Sequence, residues 1–158
     1  MRISGHDTAR AAALELASRA RGFDPQAVLS ILTGGAEVGG AIAEALGVPA
    51  YGLDLSYPWS RLAARVPAPL RLGLWPLKEL AYRIGGPRLA GGSIDRLPRL
   101  ERAVLADDSA SSGRTLRVAI EALERRGLPR GTLFVAVIRC GRGAEHLVDA
   151  HVTGHAVW

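Results

Sequence analysis

The chain has 158 residues, enough for one domain with a buried core and too few for two ordinary ones. Hydrophobic content of 48% with 22% charged residues excludes a disordered chain, and the single cysteine, Cys140, excludes a disulfide framework and suits a reducing compartment. The net charge of +5 is local: six basic residues face Glu79 alone between Tyr57 and Gly92, so this 36-residue segment carries all the excess.

The longest uncharged stretch near the N-terminus, Pro25 to Ala36, falls well short of the roughly 20 residues a membrane-spanning helix needs. Asp7, Arg10 and Glu15 interrupt any signal-like apolar run, so a soluble, cytoplasmic protein is expected. Asp7 reads as the cap of a helix over Thr8–Arg21, stopped by Gly22. Ala27–Leu32 is a short apolar run bounded by Pro25 and Gly34-Gly35, a buried strand. Glu37–Leu46 reads as helix, and Ala50–Leu55 as a second strand. The basic segment Tyr57–Gly92 follows, with five prolines, Trp59, Trp75, Tyr57 and Tyr82, as a compositional insert in one domain spanning 1–158. Ala103–Ala106 predicts a third strand, ending abruptly at Asp107-Asp108.

Thr115–Arg126 is the clearest helix, with Leu116, Ala119, Ile120 and Leu123 on one stripe. Thr132–Ile138 reads as a strand buried on both faces, and His151–Val157 as a last strand. Apolar strands alternating with amphipathic helices predict an α/β fold: a mostly parallel, twisted sheet covered by helices on both faces, three layers in all. In such sheets ligands bind at the carboxyl ends of strands, near the switch point.

Two strand ends carry unusual chemistry. Asp107 and Asp108 offer hard oxygen acceptors suited to ribose hydroxyls or a hydrated Mg²⁺. The following run, Ser109-Ala110-Ser111-Ser112-Gly113-Arg114-Thr115, lets backbone N–H groups converge at a helix N-terminus, with Ser111, Ser112 and Thr115 adding hydroxyls. Acceptors for a sugar beside donors for a phosphate point to a sugar phosphate. The alternative is a turn whose Asp and Ser residues merely cap the helix.

These residues resemble the phosphoribosyl-pyrophosphate (PRPP) motif of the type I phosphoribosyltransferase family: apolar strand, two acids, two variable residues, two small hydroxyl residues, Gly, any, Thr. In that family the first strand end carries a pyrophosphate loop, which Ile31-Leu32-Thr33-Gly34-Gly35 resembles, with Thr33 where Arg or Lys is common. The two motifs lie about 75 residues apart, and the resemblance spans Ala27 to Ile138. It implies transfer of the 5-phosphoribosyl group from PRPP to a nucleobase with release of pyrophosphate. Asp107 and Asp108 would be the catalytic acids and the Mg²⁺ ligands, in a nucleotide-salvage enzyme working as a homodimer.

The pattern is most similar to purine enzymes. Ser56-Tyr57 stands where their flexible loop begins, Arg139 directly after TLFVAVI stands where a basic residue holds the purine oxygen, and Trp158 stands where an aromatic stacks on the ring. Val148-Asp149 is likewise purine-like. Ser111 departs from the pattern, because such enzymes usually carry an acid/base Asp there. The chain stops at Trp158, which implies a minimal hood. A second function class is a non-catalytic PRPP- or nucleotide-binding regulator that contacts RNA or a membrane through the 57–92 insert. The simpler reading of the insert is an enlarged catalytic loop whose arginines face phosphates. His146, His151 and His155 are not expected to bind metal, and Cys140 is expected to be inert.

Overall fold

The computed structural model describes residues 5–32, 34–56, 88–89 and 94–152. Helix α1 spans Gly5–Ala20 and runs through a 3-10 turn, Arg21–Phe23, into strand β1, Ala27–Ile31. Helix α2 (Ala36–Leu46) leads to β2 (Ala50–Leu53) and the short β3 (Leu55–Ser56). A two-residue strand, β4 (Arg88–Leu89), pairs antiparallel with β3, so that Leu55 faces Leu89 and Ser56 faces Arg88 in register. Then come β5 (Ala103–Ala110), helix α3 (Arg114–Arg125), β6 (Leu133–Cys140) and β7 (Ala150–His151).

Five strands form one parallel sheet in the order β2-β1-β5-β6-β7. The chain moves outward from β1 to β2, then crosses back to place β5 on the other side of β1. The switch point therefore lies between β1 and β5, where a crevice opens at the carboxyl ends. Strand alternation sorts the core into two layers. Leu29, Ile31, Ala103, Leu105, Val135 and Val137 join the apolar stripe of α3 (Leu116, Ala119, Ile120, Leu123) on one face. Val28, Val104, Ala106 and Ala136 pack against α1 and α2 through Leu16, Ala17, Val38 and Ile42 on the other. Small alanines dominate that second layer and let the helices approach closely.

Five boundaries differ from the expected ones. Helix α1 begins before Asp7, which sits in its first turn, a position that also favours an acid. Gly22 lies inside the 3-10 turn, and Asp24, with φ of 53°, ends it. Strand β5 does not stop at Ala106: Asp107, Asp108, Ser109 and Ala110 continue it, because β6 supplies partners as far as Ala110 opposite Cys140. Arg139 and Cys140 accordingly lie within β6 rather than after it. Helix α3 begins one residue earlier than expected, at Arg114.

No helix among the described residues is long and apolar enough to cross a membrane.

Candidate active site

Strand β1 pairs with β5 only as far as Ser30 opposite Ala106. Beyond that point β5 keeps β6 on one side, and on the other it faces the turn that enters α2. Asp107 and Asp108 stand at this opening. Alternation gives Asp107 the parity of Ala103 and Leu105, toward α3, and gives Asp108 that of Val104 and Ala106, toward α2.

The α2-entry turn lies directly against the two acids. Gly35 donates its N–H to the Ile31 carbonyl at 2.8 Å. A Cβ on Gly35 would stand 2.8 Å from both the Ala106 carbonyl oxygen and the Asp107 Cα, and one on Gly34 would stand 2.5 Å from Asp108 Oδ1. Only glycine fits at 35, where the neighbours are backbone, and a side chain at 34 would have to displace the Asp108 carboxylate, so the first motif and the two acids share one crevice.

Asp107 is 4% exposed. Its Oδ1 accepts the backbone N–H of Asp108 at 2.9 Å, while the Ser109 hydroxyl donates to Asp108 Oδ1 at 3.4 Å. Burial, reinforced by a hydrogen bond with the Asp108 side chain and repulsion from its charge, raises the Asp107 carboxyl from 3.8 to about 8. The Asp108 N–H offsets this only in part. Asp107 therefore keeps its proton to higher pH than an exposed carboxyl does.

Beside them is a cavity of about 180 Å³, lined by Asp107 and residues 109–116. Gly113 is the N-cap of α3, with φ of 71°, and its missing side chain leaves the capping to backbone. The Asp and Ser residues are therefore not spent as helix caps. The first helical bond runs from the Arg117 N–H to the Gly113 carbonyl. The N–H groups of the first turn and the positive end of the helix face the cavity, and Arg114 lines its wall. The arrangement suits an anion the size of a phosphate group.

The expected residues divide by position. Gly34, Gly35, Asp107, Asp108, Ser109, Ala110, Ser111, Ser112, Gly113, Arg114 and Thr115 come together at the switch point. Arg139 is partly buried on β6, in register with Ser109. Ser56 takes part in the β3–β4 ladder. Thr33, Tyr57, Trp158 and all of 57–92 except residues 88–89 lie outside the described residues.

Asp149, of the purine-like Val148-Asp149 pair, makes structural contacts. Its Oδ2 accepts the Val135 N–H at 2.7 Å and an Arg130 N–H at 2.9 Å. Arg130 also donates to the Leu133 and Leu147 carbonyls at 2.7 and 3.1 Å. This clasp lies at the amino end of β6, at the far end of the sheet from the crevice, and it ties the last loop to the sheet.

Sequence reading missed the segment that follows β6. Gly141 and Gly143 lie against Ser111 and Ser112, and their only signal was a Gly-x-Gly after a buried strand. The Cys140 thiol donates weakly to the Gly141 carbonyl at 3.6 Å, and burial followed by the Glu145 charge pushes its pKa up.

No family model and no curated protein sequence matches the chain. Solved structures do match. A purine phosphoribosyltransferase from Pyrococcus horikoshii superposes with a TM-score of 0.63 at 19% identity, covering 92% of this chain and 81% of that one. The APRTase of Giardia lamblia in complex with 9-deazaadenine gives 0.60 at 20% identity, over 90% and 72%. The xanthine-guanine-hypoxanthine phosphoribosyltransferase of Helicobacter pylori gives 0.59 at 14%, over 89% and 76%. With its sheet order, its helices on both faces and these likenesses, the chain has the type I phosphoribosyltransferase fold.

Proposed function

We propose that this chain transfers the 5-phosphoribosyl group of PRPP to a nucleobase, a purine in the first instance, releasing pyrophosphate. The observation that carries the reading is the meeting of Gly34 and Gly35 with Asp107 and Asp108 at the switch point, beside the cavity of residues 109–116. Phosphate donors flank sugar acceptors there, in the order a phosphoribosyl pyrophosphate requires.

In this reading the loop from Ser109 to Thr115 holds the 5-phosphate and the two acids accept the ribose hydroxyls. The amides at Gly34 and Gly35 face the pyrophosphate; Thr33 adds no cation, so those amides carry most of that contact. The bond from C1 of the ribose to the pyrophosphate oxygen breaks, and a base nitrogen forms the new bond to C1 through an oxocarbenium-like centre. Positioning and stabilisation of the departing charge supply the acceleration. Arg139, in register with Ser109 on the neighbouring strand, would meet the oxygen of a purine ring. Ser111 is an exposed hydroxyl and a poor base, so the proton from the attacking nitrogen leaves to water.

Asp107 and Asp108 suit Mg²⁺ as paired hard-oxygen donors. No group of three or more ligating side chains occurs among the described residues, so such an ion would be shared with the substrate phosphates, whose charge it would neutralise.

The test is release of pyrophosphate from PRPP over a panel of nucleobases. Base-dependent release supports the reading, with the fastest turnover expected on a purine. Binding of PRPP without turnover on any base would leave a PRPP-binding regulator instead.

A further inference from the structure

The site as proposed ends at Thr115, yet the phosphate loop does not stand alone. It rests on the segment that leaves β6, residues 141–147, and the contacts are closer than ordinary packing. The Gly141 N–H donates to the Ala110 carbonyl at 2.8 Å, which fixes the start of the segment beside the last residue of β5. A Cβ on Gly141 would stand 2.7 Å from the Ser111 carbonyl oxygen and 3.1 Å from the Ser111 Cα. One on Gly143 would stand 3.3 Å from both the Ser111 carbonyl oxygen and the Ser112 Cα. These neighbours are backbone, so they cannot yield by turning a side chain.

From the other side, a Cβ on Gly113 would meet Leu147 Cδ1 at 2.9 Å and Ala144 Cα at 3.2 Å. Ala144 is fully buried, and its N–H closes the turn onto the Gly141 carbonyl at 2.9 Å. The loop that lines the cavity thus has a second layer of backbone behind it, in contact at three of its residues, Ser111, Ser112 and Gly113. Gly141 lines no part of that cavity itself.

We propose that Gly141, seconded by Gly143, is a positioning residue for phosphate binding: it sets where the amides of Ser111 to Gly113 stand without touching the ligand. The inference rests on the reading of that loop as the 5-phosphate site. A methyl group at 141 must push the Ser111 backbone outward by several tenths of an ångström. Donors aimed at a phosphate lose their alignment over such distances, whereas the fold keeps its apolar layers. The pyrophosphate contacts at Gly34 and Gly35 lie on the opposite side of the acids and are left in place.

That asymmetry supplies the test. The full-length wild-type chain, Gly141→Ala, Gly143→Ala and a control, Gly131→Ala, are titrated with ribose 5-phosphate and separately with Mg²⁺-pyrophosphate, and their thermal unfolding is recorded. Gly131 has nothing within 4 Å of its Cβ position and no contact with the loop. Gly141→Ala is expected to weaken ribose 5-phosphate at least about tenfold, Gly143→Ala by less, with pyrophosphate affinity unchanged in both. The control should match wild type on both ligands.

Unchanged ribose 5-phosphate affinity in Gly141→Ala overturns the proposal while leaving the site reading intact. Equal loss of both ligands together with a lowered unfolding temperature also overturns it, since that is a general structural defect. Should Gly141→Ala fail to fold, the milder Gly143→Ala decides by the same criterion. A wild-type chain that binds neither ligand removes the site reading, and this inference with it.

Discussion

Replacing Asp107 by Asn should stabilise the ligand-free chain at alkaline pH and have little effect in acid. The carboxyl is 4% exposed, and its pKa rises from 3.8 to about 8, with burial the largest cause and Asp108 the second. The folded state therefore holds a proton that the unfolded chain has already released above pH about 4. Stability is lost as pH rises through this window and levels off above about 8. At about 1.4 kcal/mol per pH unit the shift sets a ceiling of about 6 kcal/mol. Relaxation around the charged form keeps the effective dielectric well above that of dry protein, and about half of that is the expected loss. Asparagine stays neutral, and its amide oxygen can still accept the Asp108 N–H. Urea unfolding of both proteins at half-unit steps from pH 5 to 8, without divalent cations, gives the comparison. The advantage of Asp107→Asn should grow steadily with pH. An advantage that stays constant across the range would refute the account of a buried, proton-holding acid.

Other consequences are accessible to the same methods. Gly35→Ala drives a methyl group into the Ala106 carbonyl and the Asp107 backbone, and should cost about 1–3 kcal/mol and abolish pyrophosphate binding, as read by calorimetry. Leu123→Ala empties a fully buried position beneath α3 and should lower the urea midpoint by the equivalent of about 2–5 kcal/mol with an unchanged m-value. Asp149→Asn loosens the clasp with Arg130 and the Val135 N–H, and should cost about 1–2 kcal/mol while leaving the KM for every base unchanged. A raised KM for one base at unchanged stability would contradict this structural role.

The layered fold was legible because the strands are short continuous apolar runs, as sheets buried on both faces require, and α3 repeats its apolar residues at 3.6. Strand geometry then places Leu105 and Val104 on opposite faces, and the helical period sets Leu116, Ala119, Ile120 and Leu123 on one stripe. The extension of β5 through Asp107 and Ser109 was not legible. Neither residue favours a strand, and what holds them is the ladder to Val137 and Arg139, partners 30 residues away. The partners of Asp149 were illegible for a related reason: Arg130 and Val135 come from the approach to β6 and its amino end.

The site was legible where chemistry is concentrated in a short run, as from Asp107 to Thr115. It was illegible where chemistry depends on backbone proximity. Nothing in Gly141-Arg142-Gly143 reveals that it supports Ser111 and Ser112, since a glycine chosen for close approach looks like any other turn glycine. Gly34 and Gly35 were found because they stand between an apolar strand and a helix, as a pyrophosphate loop does, about 75 residues before a second motif of the same family.

The central claim is that one crevice, between β1 and β5, binds a phosphoribosyl pyrophosphate. Calorimetric titration of the full-length chain with Mg²⁺-PRPP, beside the Asp107→Asn/Asp108→Asn double variant, tests it most directly. We expect one site per chain in the wild type and no measurable binding in the variant. Absence of binding to the wild type, or equal affinity in both, would contradict the account.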